Sequence, residues 1–182
     1  MKHAILLFAA ALVGGCLSLG SREGDRYFIL EAPPGSHSSI AVRVAPTGVA
    51  SFYDTQDIVY SRAPGARAYY QFNHWTERPQ QAIRAALASR LEAGARNSGI
   101  VLRTHLEEIY HDAAQQPGTA RITLTAQLVD PAGQAVLARR TFSRTAPAGS
   151  YDASGAVQGF RQALGALLDD VVAWVEVQAT GG

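Results

Sequence analysis

The sequence predicts a single layered domain of the α/β (α+β) class, in which two main helices pack on a mixed or antiparallel sheet. Several short segments alternate apolar and polar residues, as half-buried strands do. Two longer segments repeat apolar residues at helical spacing. Along the 182-residue chain they follow one another in the order strands, helix, strands, helix. This length fits one domain that can bury a sizeable core.

Four strand candidates occupy the first part of the chain, each with aromatic or β-branched residues. In the second of them Ile40, Val42 and Val44 share one face, which is the period of a half-buried strand. A turn sequence, Ala-Pro-Gly-Ala, separates the last two, and we expect these to form a hairpin. The four segments are 26–32, 39–47, 56–62 and 66–72.

A first helix is predicted after these strands. Thr76 is a candidate N-cap, and Pro79 falls in the first turn, where its missing N–H costs little. Asn97-Ser98-Gly99 is expected to end the helix with a glycine-type C-cap. Between these ends, apolar residues recur at helical spacing: Ala82, Ile83, Ala86, Leu87, Leu91 and Ala95.

The second half of the chain predicts a long hairpin followed by a long helix. Residues 100–111 form an extended region, and 120–130 is the clearest half-buried strand, with apolar residues alternating with Thr and Gln. A strong turn at 130–133 lets 134–144 pair back. The last helix spans roughly 152–177.

That last helix combines an apolar stripe with three glycines. Gly155, Gly159 and Gly165 lower its intrinsic propensity, so we expect packing to hold it in place. The residues of the stripe are Val157, Phe160, Leu164, Leu167, Leu168, Val171, Val172 and Val175.

The N-terminus has the layout of a secretory signal peptide. A basic start precedes ten apolar residues, 4–13, which are too few for a membrane-spanning helix of about 20 residues. Val13-Gly14-Gly15-Cys16 resembles the bacterial lipobox, in which the signal peptide is removed just before a lipid-modified cysteine. Because Cys16 is the only cysteine and occupies the required position, lipid attachment is favoured over an ordinary signal peptide with an incidental cysteine.

This interpretation divides the chain into a lipoprotein signal peptide (1–15), a lipidated tether (16–25) and a folded domain (26–178). Leu17 stands where an Asp tends to retain lipoproteins at the inner membrane. We therefore expect the periplasmic face of the outer membrane, with the protein lipid-anchored through Cys16. A single cysteine allows no intramolecular disulfide in that oxidising compartment.

Charge and motif content exclude several function classes. Beyond the signal peptide, 15 arginines balance 15 acidic residues, so charge gives no reason to expect nucleic acid as a partner. The sequence has neither a phosphate-binding G-x-x-x-x-G-K-[ST] loop nor a G-x-S-x-G nucleophile motif. With its one cysteine used for lipid, the protein is not expected to be an enzyme, and no cofactor is implied.

One polar cluster is a candidate metal site. His105, Glu107 and His111 share a face if their strand is straight, and Glu108 and Asp112 adjoin them. The spacing is not the His-Glu-x-x-His that a zinc hydrolase places on a helix. An exposed polar strand face is therefore favoured, and no metal is expected.

Aromatic residues are dense between positions 52 and 75. Tyr60, Phe72 and Trp75 are expected to pack in the core. Tyr69 and Tyr70 are adjacent in a strand, so they point to opposite sides, and one of them is a candidate for exposure. Exposed aromatic side chains are favoured in binding hot spots. The candidate partner surface is Tyr53, Asp54, Tyr69 and Tyr70.

Specific stretches of the chain resemble a known protein family. After the lipobox come Tyr-Phe-Ile-Leu-Glu-Ala-Pro-Pro-Gly, the strand residues Asp57-Ile58-Val59-Tyr60-Ser61-Arg62, and Asn73-His74-Trp75-Thr76-Glu77 ahead of a helix. The last stretch is similar to a Trp-Ala-Glu-like motif, from which Thr76 departs. Together with the closing hairpin and helix, these residues resemble the PqiC-like ABC-type transport auxiliary lipoproteins over essentially the whole mature chain.

The resemblance implies a non-catalytic subunit of a transport system. Its partners would be a substrate-binding protein of the MCE family and an ABC permease and ATPase complex, which move phospholipid or other hydrophobic molecules across the envelope. The alternative is an outer-membrane assembly or structural lipoprotein that binds a β-barrel or a cell-wall synthase. The sequence identifies neither the cargo nor the oligomeric state, and it leaves a homo-oligomer open.

Overall fold

The computed structural model of the protein describes residues 24–180. The predicted signal peptide and Cys16, the predicted lipid-attachment residue, lie outside the described residues. The elements alternate much as the sequence predicts. They are β1 (Arg26–Phe28), β2 (Ile40–Val44), β3 (Gly48–Val49), a 3-10 turn (Ser51–Tyr53), β4 (Asp57–Ser61), β5 (Ala68–Trp75), α1 (Pro79–Leu91), β6 (Arg96–Asp112), β7 (Thr119–Val129), β8 (Val136–Pro147) and α2 (Ala153–Thr180).

The strands form one mixed sheet in the order β1-β5-β4-β6-β7-β8. The β4–β5, β6–β7 and β7–β8 pairs are antiparallel, whereas β1 pairs with β5 in parallel. The 17-residue β6 is the central strand. One of its edges carries β2, β3 and β4 in succession, all parallel to it. The predicted α+β class and the two predicted hairpins are confirmed.

A bulge in β6 changes which of its side chains enter the core. The register with β7 shifts between Leu106 and Glu108. Leu106 is fully buried before the bulge, and Ile109 is the next buried core residue after it. The two are three positions apart, whereas a regular strand would place side chains of one face an even number of positions apart. Residues on either side of the bulge therefore do not share a face as they would in a straight strand.

The long helix α2 supplies much of the core. Its predicted apolar stripe is buried, and Phe160 packs edge-on against the fully buried Trp75, with ring centroids 5.5 Å apart. Asp152 caps the helix, because its carboxylate accepts a 2.8 Å hydrogen bond from the Gly155 N–H. This hydrogen bond is the main reason why the pKa of Asp152 lies below its usual value.

A buried arginine joins the two helices. Arg90 near the end of α1 is only 5% exposed. Its guanidinium donates to Asp169 Oδ1 of α2 at 2.7 Å and to the Pro33 carbonyl at 2.8 Å. Charge-assisted hydrogen bonds of this kind stabilise a buried arginine that would otherwise be costly. One side chain therefore holds α1, α2 and the segment after β1 together.

Three predicted boundaries are wrong. The strand predicted at 26–32 ends at Phe28. The first helix begins at Pro79 with Arg78 at the N-cap and no side-chain cap, so Thr76 does not cap it. The helix also ends at Leu91, because the chain beyond it must turn back to start β6, which already includes Asn97-Ser98-Gly99.

Candidate partner-binding surface

Two exposed aromatic rings stack where the 3-10 turn meets β5. The Phe52 and Tyr69 ring centroids are 4.8 Å apart and the rings are 13° from parallel. The Tyr69 hydroxyl also donates a 3.1 Å hydrogen bond to the Phe52 carbonyl. Both side chains remain exposed, at 38% and 42%. We call Phe52 and Tyr69 the aromatic pair.

Tyr53 lies beneath this pair rather than beside it. It is 7% exposed, and its ring meets Phe52 edge-on at 5.7 Å. Arg67 donates to the Tyr53 hydroxyl at 3.3 Å and stacks over the Tyr110 ring at 3.7 Å. Burial raises the pKa of Tyr53, and the Arg67 hydrogen bond opposes that rise. Tyr53 is therefore a neutral, fixed support for the aromatic pair.

Asp54 uses its carboxylate within the chain. One oxygen accepts hydrogen bonds from Arg78 at 2.9 Å and from Gln80 at 2.8 Å. Arg78 and Gln80 flank the first residue of α1. Asp54 therefore fixes the 3-10 turn against the start of the helix, which holds Phe52 at a defined position.

Tyr70 points away from the aromatic pair, as expected for a neighbour of Tyr69 in a strand. Its ring lies 4.7 Å from that of Tyr60, and its hydroxyl is 2.8 Å from His111 Nδ1. The pKa of Tyr70 is raised to about 12, mainly because it is buried. His111 Nε2 lies 3.0 Å from the Pro117 carbonyl, which can only accept, so Nε2 carries the proton and Nδ1 accepts from Tyr70.

The structure thus brings Tyr53, Asp54 and Tyr69 together and places Tyr70 elsewhere. Residues 29–172 match the family described as ABC-type transport auxiliary lipoprotein component. The chain belongs to this family. Membership assigns the lipoprotein an accessory part in a transport system, as the sequence resemblance implied.

Solved structures share the fold of this auxiliary lipoprotein. A Xanthomonas campestris protein assigned to the family DUF330 aligns with a TM-score of 0.74 and 21% identity, over 86% of this chain and 98% of that chain. A Chlamydia trachomatis protein aligns with a TM-score of 0.52 and 8% identity, over 81% and 100%. Likeness at these identities concerns the fold alone. No curated protein matches the sequence.

The histidines considered for a metal site lie apart in the lipoprotein. The bulge in β6 puts His111 on the core side with Ile109, so His105 occupies the opposite face. The expectation of one exposed polar face is wrong for His111, which is fully buried. Among residues 24–180, no group of three or more His, Cys, Asp or Glu side chains is placed to hold a metal ion.

Two residues of this surface lie outside the set that the sequence predicts. Phe52 falls in the aromatic-rich stretch 52–75 but not in the predicted partner surface, and Arg67 carries no sequence signal of its own. The predicted packing role is confirmed for Trp75, which is 1% exposed, but it is wrong for Phe72, which is exposed. Among residues 24–180, neither helix combines the length and the hydropathy of a membrane-spanning segment.

Proposed function

We propose that this lipoprotein is a periplasmic accessory subunit of an MCE-type ABC transport system that moves phospholipid or other hydrophobic molecules across the envelope. It acts as an adaptor, anchored through Cys16 to the outer membrane, that docks an MCE-family substrate-binding protein linked to the permease and ATPase. Family membership supports the transport role. The lipobox and Leu17 support the anchor and its membrane.

The aromatic pair is the observation that carries the docking role. Phe52 and Tyr69 are already stacked and hydrogen-bonded before any partner binds. Ordering side chains is a cost of association, and here the contacts of the free protein already supply that order. Exposed aromatic side chains fixed in this way are typical of interface hot spots. Tyr53 and Asp54 hold the pair in place from within the chain.

Tethering complements this surface. An anchor confines the aromatic pair to the layer next to the membrane, which raises its effective concentration toward a partner that reaches the same layer. A modest affinity then suffices for stable docking. The anchor and the surface are expected to act together, so losing either should weaken recovery of the partner.

The test is cross-linking in intact cells followed by purification through a C-terminal tag. Wild type is compared with Cys16→Ala and with the double variant Phe52→Ala, Tyr69→Ala. Leu137→Ala is the matched control, because Leu137 is an exposed apolar residue on β8 and is 54% exposed. Loss of hot-spot residues should reduce recovery of the MCE-family protein by about fivefold or more.

The outcomes separate the parts of the proposal. Recovery of an MCE-family protein from wild type and the Leu137 variant, with weaker recovery from the other two, supports the docking adaptor. Equal recovery from the aromatic double variant would move the docking site away from Phe52 and Tyr69. Recovery of a β-barrel or a cell-wall synthase without any MCE-family protein would refute the transport role.

A further inference from the structure

The N-terminal edge of the sheet exposes two large apolar side chains. Tyr27 is 61% exposed and Ile29 is 63% exposed. They are two residues apart in an extended segment, so both point to the same side. The alternate residues Phe28 and Leu30 point inward and pack against the core. Tyr27 and Ile29, which we call the N-terminal edge pair, are therefore not needed to complete the core.

A groove continues the apolar surface next to this pair. Ile29 lines an open groove of about 490 Å³ between the segment after β1 and helix α1. Much of its wall consists of apolar side chains: Leu30, Pro33, Pro34, Ala82 and Ala86. The exposed apolar surface at this edge therefore extends beyond two isolated side chains.

Cations do not predominate among the described residues around the N-terminal edge pair. Asp25 and Asp57 both contact the His74 ring, at 3.7 Å and 2.8 Å, and that ring lies 5.4 Å from the Tyr27 ring between centroids. Glu31 pairs with Arg161 of α2 at 3.4 Å. The described residues there thus present no excess of positive charge to attract an acidic surface. Apolar contact is therefore the attraction that this edge can offer, and Tyr is a residue type favoured at membrane–water interfaces.

The distance to the proposed lipid restricts what this edge can meet. Only eight residues of chain lead from Cys16 to Gly24, which span at most ~28 Å even when fully extended. A domain of this size is about 40 Å across. The tether is thus shorter than the domain is wide, and it joins the domain immediately before Tyr27. The N-terminal edge stays within reach of the lipid headgroups.

We propose that the N-terminal edge pair is a second membrane contact, resting on the proposed lipid anchor at Cys16. Tyr27 and Ile29 insert at the boundary between headgroups and acyl chains of the leaflet that holds the lipid. The contact is apolar, so it forms on zwitterionic lipid and does not require anionic headgroups. It orients the domain on the membrane, which the lipid alone does not do.

The experiment places a tryptophan at this edge in the lipidated full chain. Tyr27→Trp is compared with Val177→Trp, a matched control because Val177 is 65% exposed near the other end of the chain. The natural tryptophans, Trp75 and Trp174, are 1% and 8% exposed and give a constant background. Each protein is reconstituted in phosphatidylcholine vesicles with or without brominated acyl chains, after mass spectrometry has verified the lipid on Cys16.

The expected result is a selective loss of Tyr27→Trp emission with brominated lipid, together with a blue shift, while Val177→Trp matches wild type. Unchanged emission from verified lipidated Tyr27→Trp would overturn the second contact and leave the anchor intact. Unchanged emission is also expected if the N-terminal edge pair binds a protein instead of lipid. Equal quenching of Tyr27→Trp and Val177→Trp would overturn the second membrane contact as well. Absence of lipid on Cys16 would overturn the anchor and the contact that rests on it.

Discussion

Replacing Gly159 by alanine tests whether packing or helix propensity controls α2. In an isolated helix this change stabilises, since alanine is favoured over glycine by about 1 kcal/mol. In the folded protein Gly159 faces the sheet. A Cβ atom there would lie 2.9 Å from the Ala120 Cβ, 2.9 Å from the Pro147 carbonyl oxygen and 3.2 Å from the Ala146 carbonyl oxygen.

The magnitude follows from what those neighbours can do. Two of the three contacts are backbone oxygens of β8, which cannot rotate away as a flexible side chain would. Overpacking of this kind costs about 1–3 kcal/mol. Because most of this range exceeds the propensity gain, we expect Gly159→Ala to lower the free energy of unfolding by up to about 2 kcal/mol. The melting temperature should fall by up to about 6 °C.

The assay is urea and thermal unfolding followed by circular dichroism. Gln162→Ala is the control, because Gln162 lies on the exposed side of the same helix, and it should change stability by less than about 0.5 kcal/mol. An increase in stability for Gly159→Ala would refute the argument. It would mean that α2 can move off β7 and β8 at little cost, and that propensity outweighs packing at this site.

Two further predictions concern buried polar side chains. Arg90→Ala should cost about 3 kcal/mol, because it removes a buried side chain and all its hydrogen bonds. Asp169→Asn should cost about 1 kcal/mol, because Asn keeps an oxygen that can accept from Arg90 and the half-exposed Asp169 is partly screened by water. Equal losses in urea unfolding would contradict this ordering. Burial lowers the pKa of His111, and the hydrogen bond to the Pro117 carbonyl opposes this only in part. The unfolded chain therefore takes up a proton at higher pH than the folded chain, so the stability that His111 contributes is complete above about pH 6.5 and is lost as the pH falls from there through the folded pKa. His111→Gln should flatten the change in urea midpoint between pH 7.5 and 5.5, and an unchanged slope would contradict the assignment.

The elements predicted most accurately are those whose local pattern agrees with their tertiary role. Strand β7 is packed by α2 on one side only, so its alternation is regular and its register with β8 follows from the turn between them. The apolar stripe of α2 is continuous because this helix also packs with one face against the sheet. In both elements the hydrophobic pattern alone is enough to predict the secondary structure.

The errors in the first half arise from non-local pairing. The tripeptide Asn97-Ser98-Gly99 has the composition of a glycine-type helix C-cap, so the sequence favours a helix end there. Gly99 does adopt the positive φ of such a cap, at +68°. In the fold this glycine lies inside β6, whose first residues pair with β2. The local propensity of residues 96–99 carries no information about their pairing with β2, which lies far away in the sequence.

The candidate surface was predictable in composition but not in arrangement. Aromatic density pointed to the right region, and strand alternation separated Tyr69 from Tyr70. The stacking of Phe52 on Tyr69 depends on the 3-10 turn, for which the sequence offers no periodic signal. The burial of His111 depends on a bulge, and a single inserted residue reverses the faces of everything after it.

The position of β6 has a consequence for the order in which the fold can assemble. Among residues 24–180, β2 and β3 have no strand partner except β6, and Ile40 pairs with Arg96, far along the chain. Until β6 is in place, the β2 edge, with its three buried apolar residues, has no sheet to join. Because closing so long a loop costs entropy before the pairing compensates for it, β2 and β3 are expected to join the sheet late in folding.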